Sequence, residues 1–193
     1  LVRTATSVNL LLNNGSGVFS VGAAIGPAGS NTTLAASRAD LDGDGDQDLM
    51  IGGNNAQVGW YANLGGGNYG PQQTITDFVN PATPFCGDVD GDGYDEIIEG
   101  SCAIDHNGKF MYRTGLGHGD AMHLGDLDPD REGLEVWQVH EDSPYGYDLH
   151  DARTGERLFY EKSSGDNGRG VAADVDSTSR GSEMWSGANY NTY

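Results

Sequence analysis

The sequence of 193 residues predicts an all-β fold of short antiparallel strands, and three observations lead to that prediction. Glycine supplies 31 residues while only 36% of the chain is hydrophobic, a balance that favours many tight turns over long helices. One acidic motif recurs four times along the chain. Near its copies, pairs of apolar segments flank glycine-containing turns, as strands do in β-hairpins.

The acidic motif sets the size of the repeating unit. Its copies begin with an aspartate at residues 40, 88, 126 and 174, so the intervals are 48, 38 and 48 residues. This spacing matches the four-stranded blade of a β-propeller better than a heptad or a two-helix repeat. The predicted hairpins support the same unit, and they lie at residues 8–19, 58–69, 104–112 and 149–160.

We therefore interpret residues 1–193 as one β-propeller domain or a fragment of one. The predicted complete blades are residues 35–80, 81–116 and 117–165, and the predicted half blades are residues 1–34 and 166–193. The two halves add up to one blade, and sharing a blade between the chain ends is a common way to close a propeller and remove exposed sheet edges. The chain would then close alone as four blades, self-associate with a second copy as eight, or form an arc of a larger ring.

Composition limits the partners. The formal net charge is −19, which argues against a nucleic-acid partner because phosphate binding needs a basic surface. No stretch approaches 18 apolar residues, so no membrane span is expected. Cys86 and Cys102 are the two cysteines, and either a disulfide or two buried thiols fits their spacing. Because the sequence starts at Leu1 without a signal-peptide pattern, we expect a processed or partial chain.

The acidic loops are predicted to bind Ca²⁺, which takes six to eight oxygen ligands in irregular geometry. Of the 29 carboxylates, 18 lie in these four loops, a density that would repel itself without a counter-ion. Calcium should therefore stabilise the fold. The predicted ligands are Asp40, Asp42, Asp44, Asp46 (through its carbonyl) and Asp48 in the first loop, Asp88, Asp90, Asp92, Tyr94 and Glu96 in the second, Asp126, Asp128, Asp130 and Glu135 in the third, and Asp174, Asp176 and Glu183 in the fourth.

The loops are not equivalent. The first two carry the most regularly spaced carboxylates, the third has a proline and an extra residue before Glu135, and the fourth has Thr178 where a third carboxylate would stand. We therefore expect the fourth site to be the weakest. An EF-hand fits the spacing of the second loop only, and neither the first nor the second loop is flanked by an amphipathic helix pattern.

The second half of the chain resembles the polysaccharide lyases of family 11, the bacterial rhamnogalacturonan lyases. The matching stretches are residues 86–98, 115–130 (with Gly-His-Gly-Asp-Ala-Met-His), 133–142 and 168–176. The first half is similar to FG-GAP or VCBS repeats, which integrin heads and many bacterial surface proteins share. The family resemblance implies an eight-bladed calcium propeller that cuts rhamnogalacturonan by β-elimination. Such chemistry needs a cation to neutralise the uronate carboxylate and a base to remove the C5 proton.

The resemblance also implies roles for particular residues. His118, Asp120, His140 and Glu141 would help to bind calcium beside the cleft, while His123 and Arg169 would face the anionic sugar. By contrast, Trp60, Trp137 and Trp185 fall on predicted strands and are expected in the core rather than on a glycan.

Two functions follow from these expectations. The leading hypothesis is an extracellular, calcium-stabilised propeller with a structural role or with an acidic plant polysaccharide or other partner as its ligand. The alternative is a pectin-degrading lyase that is active only as an assembly or as part of a longer chain. Family members are much longer, and the blades that carry a candidate base have no counterpart here, so no catalytic residue is assigned.

Overall fold

The computed structural model describes residues 2–3, 7–27, 35–52, 58–76 and 84–187. Within these ranges the chain forms antiparallel β-sheets and no helix, which confirms the all-β prediction and leaves the EF-hand without its helices. The chain divides into two compact units, Leu1–Thr83 and Pro84–Tyr193. Among the described residues, no helix is long and apolar enough to span a membrane.

The first unit contains two sheets. One has the order β1-β2-β3 and the other the order β4-β5-β6-β7, with every strand hydrogen-bonded to the next along the chain. Their bounds are β1 (Val2–Arg3), β2 (Ser7–Asn13), β3 (Phe19–Pro27), β4 (Ala35–Ala39), β5 (Asp48–Gly52), β6 (Val58–Tyr61) and β7 (Gln73–Thr76).

The second unit contains three sheets. Their orders are β8-β9-β10-β11, β12-β13-β14-β15 and β16-β17. Their bounds are β8 (Phe85–Gly87), β9 (Glu96–Glu99), β10 (Cys102–Ile104), β11 (Phe110–Arg113), β12 (Gly119–Gly125), β13 (Glu135–His140), β14 (Tyr147–Asp151), β15 (Arg157–Glu161), β16 (Gly170–Ala173) and β17 (Glu183–Ser186).

The strands follow the sequence pattern closely, with two differences. Each four-stranded sheet lies within one of the stretches predicted as complete blades, whereas the arrangement of these sheets around a common axis stays a prediction. The segment predicted as the first half blade contains three paired strands rather than two. Tyr69, at the end of the hairpin predicted for residues 58–69, makes only a single bridge to Asn63, and β7 begins at Gln73.

The core of the second unit lies between its sheets. One cluster joins Val89, Ile98 and Ala103 to Met122 and Val136, so the sheet β8–β11 packs against the sheet β12–β15. A second cluster is formed by Leu127, Trp137, Val139 and Leu149 with Ala172 and Met184, so β16–β17 packs against the other face of β12–β15. Trp137 is buried as expected, but Trp185 is 46% exposed because β17 is an edge strand in the described part of the chain.

The two cysteines are not bonded to each other. Cys86 lies on β8 and Cys102 on β10, and β9 separates the two strands. Burial raises the pKa of both thiols, and nearby carboxylates such as Asp95 and Glu99 add to the effect. Both thiols are therefore protonated at neutral pH, Cys102 in the core and Cys86 in a partly buried position.

Candidate cation sites in the acidic loops

All four acidic loops share one hydrogen bond at their base. The carboxylate that starts the following strand accepts the backbone N–H of the second loop residue, and this closes the loop into a ring. The four pairs are Asp48 Oδ2 with Leu41 N (3.0 Å), Glu96 Oε2 with Val89 N (2.9 Å), Glu135 Oε2 with Leu127 N (3.0 Å), and Glu183 Oε2 with Val175 N (3.0 Å).

The first aspartate of a loop curls the backbone inward. Asp88 Oδ1 accepts the N–H of Gly91 at 2.7 Å, and its Oδ2 accepts the N–H of Gly93 at 3.1 Å. Both glycines have positive φ, 82° and 95°, which side-chain-bearing residues rarely adopt. Asp40 binds Gly43 N and Gly45 N in the same way in the first loop. The glycines are therefore what lets the carboxylates of each loop converge.

In the first loop, Asp40, Asp42 and Asp48 each place a carboxylate oxygen within 4.8 Å of the others. Asp48 is 1% exposed, and its second oxygen accepts the N–H of Asn63 at 2.8 Å. Burial raises the pKa of Asp48, although its hydrogen bonds oppose the shift. Burial and the neighbouring Asp44 also raise the pKa of Asp46. Negative charge is thus costly here without a cation.

The second loop brings Asp88, Asp90 and Glu96 together within the same 4.8 Å limit. Glu96 is fully buried, and while Oε2 holds the loop base, Oε1 has no hydrogen-bond partner. Burial, followed by the charges of Asp90 and Asp92, raises the pKa of Glu96 to about 7. An inward-facing carboxylate oxygen beside two further carboxylates fits an oxygen-coordinated cation.

His106, which the sequence pattern does not single out, lies beside the second loop in the turn between β10 and β11. Its ring stacks on Tyr94 with the centroids 4.2 Å apart, and its Nδ1 lies 3.8 Å from Glu96 Oε1 and 3.9 Å from Asp92 Oδ2. The register explains the approach, because Ile104 pairs with Ile97 and so the turn after β10 meets the loop before β9. The pairing register of β9 and β10 is therefore the signal that identifies His106 as a neighbour of the second loop.

The third and fourth loops are arranged differently. Nowhere in these two loops, as far as the structure describes them, do three carboxylates lie within 4.8 Å of one another. In the third loop Arg180 contacts Asp130, and Arg131 Nε lies 3.9 Å from Glu135 Oε1. In the fourth, Thr178 donates to Asp176 at 2.6 Å. Calcium binding by Asp126, Asp128, Asp130, Glu135, Asp174, Asp176 and Glu183 stays a prediction.

The residues implied by the family resemblance separate into two places. His118 Nδ1 lies 3.3 Å from Asp120 Oδ1 and 3.2 Å from Glu141 Oε2, so these three form a surface cluster of metal-ligating type. His140 is not part of it: its side chain is fully buried, and Nε2 lies 2.6 Å from Asp148 Oδ1.

The two residues expected to face the sugar lie apart from that cluster. His123 is half-buried on β12 with its ring tilted against Phe85. Arg169 is exposed just before β16, and its side chain donates to the carbonyl of Gly168. Their roles toward a substrate stay predictions.

Comparisons of sequence models and of individual proteins point to the same family. The sequence model of the rhamnogalacturonan lyase family 11 C-terminal domain matches residues 82–193, and the FG-GAP-like repeat model matches residues 40–98. The chain is 61% identical over 100 residues to the rhamnogalacturonan exolyase YesX and to the endolyase YesW of Bacillus subtilis strain 168. Each match covers 51% of this chain and 16% of the relative, so the matched stretch is about a sixth of the length of these proteins.

Solved structures extend the similarity beyond that stretch. The crystal structure of the exotype rhamnogalacturonan lyase YesX superposes with a TM-score of 0.67 and 40% identity, over 83% of this chain and 28% of that one. The rhamnogalacturonan lyase PL11 of Bacillus licheniformis gives a TM-score of 0.65 and 40% identity, over 80% of this chain and 28% of that one.

Proposed function

Because the chain belongs to rhamnogalacturonan lyase family 11 through residues 82–193, we propose that it is an extracellular, calcium-binding β-propeller module that binds rhamnogalacturonan. The observation that carries the calcium proposal is Glu96. It is fully buried with one oxygen that has no hydrogen-bond partner, and it lies beside Asp88 and Asp90. A buried charge of this kind needs a counter-charge, and calcium supplies it to an all-oxygen ligand set.

The propeller proposal rests on how sheets succeed one another in the second unit. Strand β12, the first of its sheet, contacts both β8 and β16, which are the first strands of the sheets before and after it. Sheets that face one another while their first strands lie side by side are the local pattern of successive propeller blades. The strand order of each four-stranded sheet, in which every strand pairs with its chain neighbour, is also that of a blade.

The substrate proposal combines family membership with charge. The relatives act on rhamnogalacturonan, according to their names. At a net charge of −19, this chain would repel a uronate-containing polymer. Binding therefore needs a cation between the two, and in the exposed cluster of His118, Asp120 and Glu141 the two carboxylates supply oxygen ligands for calcium. A cation there would neutralise the carboxylate of the sugar.

Calcium should stabilise the fold more at pH 8 than at pH 5. In the metal-free chain the pKa of Glu96 is raised from 4.5 to about 7, so the folded state holds a proton that the unfolded state has lost. Metal-free stability must therefore fall as the pH rises between these two values. Calcium binds the ionised carboxylate, and free calcium at a hundred times Kd adds about 2.7 kcal/mol per site.

The measurement is thermal melting of resin-stripped chain with and without calcium at both pH values. Glu96→Gln is the matched control, because it keeps an acceptor for Val89 N but removes the ionisation. It should abolish the part of the pH dependence that comes from the second loop. Equal melting temperatures with and without calcium at both pH values would contradict the calcium proposal.

Binding to rhamnogalacturonan should require both calcium and Glu141. Glu141→Gln removes one charged ligand from the exposed cluster and should weaken binding to immobilised rhamnogalacturonan by roughly ten- to hundredfold. Glu156→Gln, at an exposed residue outside the cluster, is the control and should bind as the unmodified chain does. Calcium-independent binding, or equal binding by the two variants, would contradict the bridging role.

The second candidate function is β-elimination of rhamnogalacturonan by an assembly of this chain or by a longer chain. Family membership favours this activity. This chain covers 28% of the YesX structure, and a cleft built by several blades needs the remainder, so the activity would require an assembly or a longer chain. Ultraviolet absorbance of the unsaturated product tests this activity, and native mass spectrometry in parallel tests self-association. If a monomeric chain binds rhamnogalacturonan and releases no unsaturated product, the binding-module proposal stands and a self-assembled enzyme is excluded.

A further inference from the structure

We propose that the second acidic loop has a cation position of different chemistry, in which Asp92, Glu96 and His106 hold a divalent transition metal such as Zn²⁺. One oxygen from each carboxylate and one ring nitrogen of His106 lie within 4.8 Å of one another. This position shares Asp92 and Glu96 with the predicted calcium ligands of the second loop but differs from that set by including a nitrogen.

The spacing of the three side chains fits one small cation. His106 Nδ1 lies 3.8 Å from Glu96 Oε1 and 3.9 Å from Asp92 Oδ2. Bonds of 2.0–2.2 Å in a tetrahedral zinc site place ligand atoms about 3.4 Å apart. The two distances from His106 Nδ1 therefore exceed that spacing by only about half an ångström, and the two carboxylate oxygens lie within 4.8 Å of each other.

Two unsatisfied atoms point to a ligand at this position. Glu96 Oε1 and His106 Nδ1 are both shielded from solvent and have no hydrogen-bond partner, and the Glu96 side chain is fully buried. Buried polar atoms of this kind are uncommon, and an ion accounts for both at once. Asp105 Oδ1 lies 2.9 Å from Nδ1 without making a hydrogen bond to it, so a further carboxylate adds negative potential nearby.

The imidazole is already oriented for this role. His106 lies in the turn between β10 and β11, which is closed by hydrogen bonds from Asp105 N to Lys109 O and from Gly108 N to Asp105 O. Stacking on Tyr94, with 15° between the ring planes, fixes the plane of the ring. Tyr94 N in turn donates to Asp92 Oδ1 at 3.0 Å, so the stack and one of the carboxylates are connected.

The ligand atoms define the class of metal. Calcium takes oxygen ligands, whereas imidazole nitrogen with carboxylates suits zinc, cobalt and nickel. A nitrogen donor therefore adds little to calcium binding and much to zinc binding. The inference does not depend on the proposed function, because zinc affinity is measured directly on the chain without polysaccharide and without calcium.

The test is titration of the metal-free chain with Zn²⁺ by calorimetry and with Co²⁺ by visible absorbance. His118→Ala serves as the parent variant, so that the exposed cluster does not contribute an imidazole. His106→Phe in that parent keeps an aromatic ring for Tyr94 but removes the nitrogen. We expect its affinity for Zn²⁺ to fall roughly ten- to hundredfold while its affinity for Ca²⁺ stays unchanged.

Equal zinc affinity in the two variants would overturn the proposal, and so would a parallel loss of calcium binding, because the ring would then have only a packing role. X-ray absorption at the zinc edge of the parent gives an answer that does not need the phenylalanine variant to fold. One imidazole among oxygen neighbours is expected. A shell of oxygen alone would contradict the assignment.

Discussion

Replacing Asp148 with alanine should lower the free energy of unfolding by about 3–5 kcal/mol, because it removes the centre of a buried polar network. Asp148 Oδ1 lies 2.6 Å from His140 Nε2 and Oδ2 lies 2.8 Å from His150 Nδ1. All three side chains are at most 1% exposed. Without the carboxylate, two buried ring N–H groups would lose their acceptor.

The protonation states follow from the same geometry. Burial raises the pKa of Asp148, but the hydrogen bonds from His140 and His150 outweigh burial and hold the pKa below its ordinary value. An ionised carboxylate only accepts hydrogen bonds, so both histidines donate to it. The stability contributed by Asp148 is therefore present above the pKa of an unfolded aspartate, near 4, and is lost as the pH falls toward the lower folded value.

Urea unfolding followed by tryptophan fluorescence at neutral pH measures this effect. Asp166→Ala, at an exposed aspartate of the same unit, is the control and should stay within about 0.5 kcal/mol of the unmodified chain. Asp148→Asn keeps the shape and should show less acid dependence below pH 4. A loss of less than about 1 kcal/mol in Asp148→Ala would show that the two imidazoles find other partners.

Gly146→Ala should be the second large effect, with a loss of about 2–5 kcal/mol from backbone strain and overlap together. Gly146 has a φ of 70°, and an added Cβ would overlap the carbonyl oxygen of Glu161 and lie 2.8 Å from Ser163 N. Both neighbours are backbone atoms of another segment and cannot turn away as a side chain can. Gly146 O also accepts the N–H of His140, so displacement would reach the buried network.

Gly115→Ala separates the two causes. Gly115 has a φ of 78°, but nothing lies within 4 Å of an added Cβ there. It should therefore lose only the conformational part, about 1–2 kcal/mol. Equal losses in the two variants, measured by the same urea titrations, would show that overlap with Glu161 is not felt.

The sequence allowed prediction of what is local. Hairpin turns, glycines at positive φ and carboxylates at alternate positions depend on neighbours within about ten residues, so the strand groups and the first two loops follow from the pattern. His106 was missed because its position beside Glu96 depends on strand register rather than on spacing along the chain. Arg180, which contacts Asp130 from 50 residues away, was missed for the same reason.

Residues that the family resemblance assigns to one site can differ in burial in the structure. His140 and Glu141 are adjacent in sequence, and the family resemblance grouped them, but β13 ends at the buried His140 and Glu141 lies in the exposed bend that follows. Glu141 joins the exposed cluster with His118, while His140 lies in the interior with Asp148. Trp185 shows the opposite effect: a strand position predicts burial, but in the described part of the chain β17 pairs with β16 alone and Trp185 is 46% exposed.

The third loop keeps the same closing hydrogen bond as the first two while arginines lie against its carboxylates. A guanidinium attached to the polypeptide is a positive charge that neither dilution nor a chelator can take away. Under the proposed calcium binding, loops of one architecture would exchange a diffusible ion for a tethered one while the closing hydrogen bond stays the same. If the first two loops bind calcium as proposed, a chelator should destabilise them before the third loop, whose carboxylates lie against Arg131 and Arg180.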